Sequence, residues 1–307
     1  MKLITKYTIT AHLNKLLTIK KEHKYLKINS TIIFNIMSKK NNNVLEIKTV
    51  QIAPFRTLMT ALKDILLETN ITFKPDGIRI VNMDKSHTTL VHLFLDAEKF
   101  ESYYCKYPNI VIGVNMLHLF KLINTIDNDD TLTIYIDESN YSDGIVERLG
   151  LRFENGDINQ TKDQKLKLIE PEEEEMDIPK VDFSSIITFP STDFQKIIRD
   201  LSNISDRLEI KSVGNELIFK CSGPFAEGEI KRGECDSSTE FIKNPEASKI
   251  IQGEFSLKNL GYFIKCTNLC NTIEIYLEND LPLVVKYSVA SLGTIKLCLA
   301  PLPQLKN

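Results

Sequence analysis

The sequence lacks the features that announce several common kinds of protein. It has no excess of either charge: 38 lysines and arginines stand against 41 aspartates and glutamates, a net charge of -3. Any contact with nucleic acid must therefore come from local segregation of charge and not from the chain as a whole. The six cysteines (Cys105, Cys221, Cys235, Cys266, Cys270, Cys298) include no C-x-x-C pair. Cys266 and Cys270 stand one helical turn apart, but no histidine pair accompanies them, so no zinc ligand set is expected. No signal peptide precedes these thiols, which points to a reduced intracellular compartment. No run of about 18 apolar residues offers a membrane span.

Signals for catalysis are equally thin. No glycine loop of the phosphate-binding kind occurs, and no acidic pair sits in a context that suggests a catalytic metal. Asp84, Ser86 and His87 supply the side-chain types of an acyl-transfer triad, but neighbours in an extended segment point to opposite faces, so these are expected to be turn and pocket residues. Residues 137–144 (D-E-S-N-Y-S-D-G) hint at a calcium loop, yet a tyrosine stands at the fifth position and a serine where the sixth needs glycine. The expectation is a protein that is not an enzyme, with no metal and no cofactor.

What the chain does have is a repeated helix pattern. Residues 53–68 (A-P-F-R-T-L-M-T-A-L-K-D-I-L-L-E) place Phe55, Leu58, Met59, Leu62, Ile65 and Leu66 at helical spacing, with Pro54 in the first turn. Arg56 and Lys63, seven residues apart, lie off that apolar stripe. A single such helix would read as an ordinary solvated flank. The pattern recurs, however. Residues 115–125 carry Lys121; residues 192–202 carry Lys196 and Arg199 beside Phe194, Ile197, Ile198 and Leu201; residues 256–267 again space two cations by seven, Lys258 and Lys265. Strand-like runs such as 131–136 (T-L-T-I-Y-I) and 272–277 (T-I-E-I-Y-L) follow, so the chain reads as a helix-then-strands unit used four times.

At 307 residues, a prior of about 100 to 200 residues per domain gives two domains. Residues 1–43 differ from the rest, with nine lysines, the single glutamate Glu22 and no sustained period. They read as a basic, disordered extension, with Met37 a candidate start. From 44 a strand over 45–52 leads into the first helix, followed by strands at 71–73 and 78–81 around a P-D-G turn.

The stretch 81–95 (V-N-M-D-K-S-H-T-T-L-V-H-L-F-L) resembles the S-M-D-x-S-H-x-x-L-V segment of the proliferating cell nuclear antigen family, the eukaryotic-type sliding clamps of DNA replication. The resemblance continues through G-V-N at 113–115, P-S-x-x-F-x-x-I-x-R-D-L-S at 190–202, P-L-V-V-x-Y at 282–287 and L-A-P at 299–301. It implies an α+β, two-domain DNA clamp fold, each domain with two helices packed on curved antiparallel sheets: 44–164, a connector over 165–183, and 184–307. It also implies a homotrimeric ring around double-stranded DNA, bound without regard to sequence, that serves as a polymerase processivity factor in replication and repair. The location implied is the nucleus or the replication site of a DNA virus. A subunit of a hetero-oligomeric clamp, or a monomeric clamp-like factor, remains the alternative.

By position, Arg56, Lys63, Lys121, Lys196, Arg199, Lys258 and Lys265 match the family's DNA-facing residues, while Asn124 and Asn203 stand where further cations are frequent. The run at 170–179 (E-P-E-E-E-E-M-D-I-P) reads by itself as a solvated linker; the family places its connector there. Met83, His87, Leu90, Met176, Ile178, Pro282, Cys298, Ala300 and Pro301 match the groove that receives short peptides of the polymerase, the clamp loader and other partners. Three departures stand out. Cys298 replaces the usual aromatic; the loop 213–215 lacks a lysine, with Lys211 nearest; and Y-C-K-Y at 104–107 replaces R-C-D-R.

Overall fold

The computed structural model describes residues 42–172, 176, 178, 180–235, 238–244 and 249–303. Residues 1–41 of the basic extension thus lie outside the described residues, while Asn43 already opens the first strand, Asn43–Thr49.

The helices form where the apolar period placed them. α1 (Ile52–Ile65) buries Phe55, Leu58, Met59, Leu62 and Ile65; α2 (Met116–Ile123) buries Met116, Leu119 and Ile123. α3 (Ser191–Ser202) buries Phe194, Ile197, Ile198 and Leu201; α4 (Leu257–Phe263) buries Leu257, Leu260 and Phe263. Each such side chain contributes about 1.5 to 3 kcal/mol relative to exposure. Asn115 caps α2 by accepting from the His118 amide, and Ser256 caps α4 by accepting from the Asn259 amide.

Three helices are shorter than expected, α2 because Asn115 and Asn124 cap it at Met116–Ile123 within the expected 115–125. α1 stops at Ile65 instead of 68, because Leu66 turns extended and the chain from Glu68 joins a strand. α4 stops at Phe263 and tightens into the 3-10 segment Ile264–Leu269, where the Thr267 hydroxyl donates to the Ile264 carbonyl at 2.6 Å.

One antiparallel sheet of nine strands unites the two halves. Its spatial order is Glu240–Lys243, Ser185–Pro190, Thr272–Leu277, Leu283–Val289, Gly293–Leu299, Thr89–Asp96, Gly77–Met83, Glu68–Lys74 and Ile110–Asn115. The seam lies between Gly293–Leu299 and Thr89–Asp96, in register from Gly293 opposite Leu95 to Leu299 opposite Thr89. A Cβ on Gly293 would stand 2.1 Å from the Phe94 carbonyl oxygen, so the seam needs a residue without a side chain there.

Alternation along its strands, strict in Thr89–Asp96, gives this sheet two different faces. Ile80, Leu93 and Leu95 are buried and line, together with Phe55 and Met59 of α1 and Leu119 and Ile123 of α2, a small apolar cavity of about 30 Å³. This is the helix side. α1 packs against α2 on one flank and against Ile264–Leu269 on the other, and that segment in turn meets α3 and α4, so helices of both halves form one layer. The opposite face carries no helix among the described residues.

Two smaller sheets and a two-stranded hairpin complete the fold. One runs Gln160–Lys167, Arg148–Asn155, Thr131–Asp137, Asn43–Thr49, Ser102–Cys105; the other runs Glu227–Gly233, Glu216–Ser222, Arg207–Val213, Ile250–Ser256. Gln160–Lys167 and Glu227–Gly233 are therefore edges. The first crosses residue 164, the expected domain boundary, and continues to Lys167 because Leu166 is buried opposite Leu149. The calcium-like stretch is a hairpin: Tyr141–Ser142 pairs with Ile145–Val146 around Asp143 and Gly144, both at positive φ.

Candidate nucleic-acid interface and outer groove

The seven cations expected on the helices fall into two groups. Lys121 on α2, Lys196 and Arg199 on α3, and Lys258 on α4 are exposed, and none of their side-chain cations has a hydrogen-bond or ion-pair partner among the described residues. The other three are engaged. The Arg56 guanidinium donates to the Ile126 carbonyl and, at 3.2 Å, to Asn128 Oδ1, while its Nε is buried without a partner. Lys63 pairs with Asp64 Oδ1 at 2.8 Å and lies 4.8 Å from the Phe120 ring centroid. Lys265, on the 3-10 segment, pairs with the other oxygen of the same aspartate and lies 5.6 Å from the Tyr262 ring centroid. Burial pushes the Asp64 carboxyl upward, but the hydrogen bonds from Lys265 and Lys63 outweigh it and hold the group below the usual carboxylate range. Asn124 and Asn203 take the C-cap positions of α2 and α3, where Asn203 Nδ2 donates to the Arg199 carbonyl at 3.1 Å.

On the sheet face opposite the helices, Met83, Leu90 and Cys298 of the expected groove residues fall in one row. Met83 stands opposite Leu90, Leu90 opposite Cys298, and Cys298 opposite Val284. The row continues through Tyr276 and Ile186. Directly opposed residues of antiparallel strands share a face, so these side chains make an apolar stripe across both halves. Val284, Tyr276 and Ile186 were not among the expected groove residues; alternation within 272–277 and 283–289 was the signal, but only the register aligns them with Leu90. Burial pushes the Cys298 thiol up to about 11, which keeps it a neutral apolar neighbour.

Other expected members lie around the stripe. The Ala300 amide donates to the Thr88 carbonyl at 2.9 Å, which docks the carboxy-terminal segment on the 84–88 turn. Pro301 lines a polar cavity of about 840 Å³ with Arg207, Glu209 and Glu254. Pro282 is exposed just before Leu283–Val289, and Met176 and Ile178 are half-buried on the connector; Glu173, Glu174, Glu175, Asp177 and Pro179 lie outside the described residues. The connector begins against the first half: the Ile169 amide donates to the Gly113 carbonyl at 3.0 Å, and the Asn70 side chain bonds both the amide and the carbonyl of Glu172. A Cβ at Gly113 would stand 2.6 Å from the Ile169 carbonyl oxygen.

A charged row adjoins the stripe. Lys286 pairs with Glu274 at 2.8 Å, and the Tyr276 hydroxyl donates to the same carboxylate. Burial opposes ionisation of Glu274, yet these partners hold it below the usual range. His92 is held down by burial and by Lys296 and Arg79.

Asp84, Ser86 and His87 lie in a turn, as expected, although not on the alternating faces of an extended segment. The Ser86 hydroxyl reaches the Asp84 carboxylate, which also accepts the amides of Thr88 at 2.9 Å and Thr89 at 2.7 Å. His87 adopts φ 54° and is exposed. The carboxylate is thus spent on organising the turn. Among the described residues no group of three or more His, Cys, Asp or Glu side chains is placed to hold a metal ion.

Residues 44–175 match the family model "Proliferating cell nuclear antigen, N-terminal domain", and residues 177–302 match "Proliferating cell nuclear antigen, C-terminal domain". The chain is 33% identical over 266 residues to "Probable DNA polymerase sliding clamp 1" of Paramecium bursaria Chlorella virus 1, covering 85% of this chain and 98% of the relative. It is 31% identical over 301 residues to "Probable DNA polymerase sliding clamp" of Acanthamoeba polyphaga mimivirus, covering 86% of this chain and 63% of that longer relative.

Proposed function

The chain belongs to the proliferating cell nuclear antigen family of sliding clamps, and from that premise we propose that three copies close head to tail into a ring that encircles duplex DNA and tethers a DNA polymerase to it. The observation that carries this reading is the two-faced sheet. Helices of both halves lie on one side and present Lys121, Lys196, Arg199 and Lys258 to solvent, while the opposite side offers an apolar stripe. Lysine and arginine contacts to phosphate hold DNA without reading its sequence, as a sliding collar requires.

Ring closure is supported by the exposed edges Gln160–Lys167 and Glu227–Gly233, which are the places where strands of neighbouring copies can pair. The outer stripe, with the connector beside it, is the docking groove for short peptides of the polymerase, the clamp loader and repair proteins. The protein acts at the site of DNA replication, nuclear or viral, as a processivity factor and platform without catalysis of its own. The division into 44–164, 165–183 and 184–307 is kept as the working description of its two domains and connector.

Light scattering at micromolar concentration tests closure directly. Three chains per particle are expected. A monomer, or a particle that forms only with a different subunit, would favour a monomeric factor or a hetero-oligomeric clamp instead.

A further inference from the structure

Two of the seven inner cations share one counter-ion. Asp64 sits beside Lys63 on α1 and meets Lys265, which is 201 residues away in sequence. Lys63 is the less exposed amine, with 19% of its side chain accessible, and Asp64 retains 25%. Each ammonium also faces an aromatic ring, Phe120 for Lys63 and Tyr262 for Lys265. Lys121, Lys196, Arg199 and Lys258 are free of such partners among the described residues.

We propose that Asp64 is a positioning residue that holds Lys63 and Lys265 off the DNA backbone and so sets how loosely the ring grips duplex DNA. This rests on the reading that the helix layer surrounds DNA. The physical reason is counter-ion release: each lysine that neutralises a phosphate adds about 0.9 to the magnitude of the slope of log affinity against log salt. A lysine already compensated by a carboxylate and seated over a ring must give up those contacts first, and the carboxylate then repels the approaching phosphate. A collar that slides needs a shallow grip, and a fixed negative charge between two lysines supplies one without removing them.

The experiment measures binding of the intact ring to a short linear duplex by fluorescence anisotropy over a salt series, with ring mass checked by light scattering. Asp64→Asn should steepen the slope by about 0.9 or more, and Asp64→Ser should do the same. An unchanged or shallower slope in an intact ring overturns the proposal. A second arm replaces Lys63 and Lys265 together with alanine. That double change should lower the slope less in the wild-type background than in the Asp64→Asn background; equal losses in both also overturn it. Lys121→Ala with Lys196→Ala separates the two readings: if this pair changes nothing and wild-type binding is insensitive to salt, the helix layer does not face DNA and both fall together.

Discussion

Leu90 and Cys298 stand opposite each other on adjacent strands at the seam where the two halves share one sheet. The stripe they belong to therefore takes Met83 and Leu90 from the first half and Cys298, Val284 and Tyr276 from the second. A peptide lying on it touches both halves at once. Replacing Leu90 and Ile178 together by alanine should weaken a short partner peptide by roughly 1 to 3 kcal/mol, the usual loss when interface anchors are removed. Titration calorimetry of wild type and double mutant decides the matter, and equal binding by both places the groove elsewhere. Because Cys298 occupies less volume than an aromatic, peptides with a bulkier anchor should bind better than those with a small one, and Cys298→Tyr should reverse that order.

The seam also has a steric requirement. With the Phe94 carbonyl oxygen 2.1 Å from the place of a Cβ, Gly293→Ala must move backbone, and no flexible side chain can give way instead. The expected cost is about 1 to 3 kcal/mol, as for overpacked cores, read as a lower urea midpoint. An unchanged midpoint would show that the seam yields more readily than its seven aligned residue pairs suggest.

Acid should act on the 84–88 turn in a defined direction. Burial opposes the charge on Asp84, but hydrogen bonds from Ser86, Thr89 and Thr88 hold its folded pKa below the ordinary carboxyl value. A depressed carboxyl contributes stability that is complete above the ordinary carboxylate range and lost as pH falls through the folded value. The advantage of wild type over Asp84→Asn should thus be constant from neutral pH down to roughly pH 4 and shrink below it. Denaturant titrations across that range test this; an advantage that persists undiminished at the lowest pH would mean that the carboxylate form is not what matters.

The first strand begins at Asn43, and the Asn42 carbonyl accepts from the Glu138 amide. A chain starting at Met37 keeps both contacts and should match the full chain in Tm and in particle mass. Loss of several degrees would show that residues before Met37 pack on the body.

The helices were legible because their information is local: Phe55, Leu58 and Leu62 repeat within one segment, and so do Phe194, Ile197 and Leu201. The cations off those stripes were legible for the same reason. Their partners were not. Asp64 adjoins Lys63 in sequence, but its second contact comes from Lys265 in the other half, and Arg56 is drawn to the Ile126 carbonyl by a loop whose path no periodicity specifies. The groove shows the same division. Met83 and Leu90 belong to one short motif, whereas Val284, Tyr276 and Ile186 join them only through strand register, which depends on pairs far apart in sequence, such as Leu90 with Cys298 and Ile186 with Tyr276. The break of the fourth helix at Phe263 was also hidden, because cations at 258 and 265 keep a helical spacing across the tightened turn.

The central claim is that the exposed inner cations grip DNA, and one measurement tests it most directly. Lys121, Lys196, Arg199 and Lys258 are changed together to alanine, and the same preparation is assayed for particle mass and for polymerase processivity on a long primed template. None of the four lies on the edges Gln160–Lys167 or Glu227–Gly233, so the mass should stay that of a trimer. Processivity should collapse, and the log-affinity against log-salt slope should lose about 0.9 for each phosphate contact removed. An intact ring with undiminished processivity would contradict the account and make these residues ordinary surface charges.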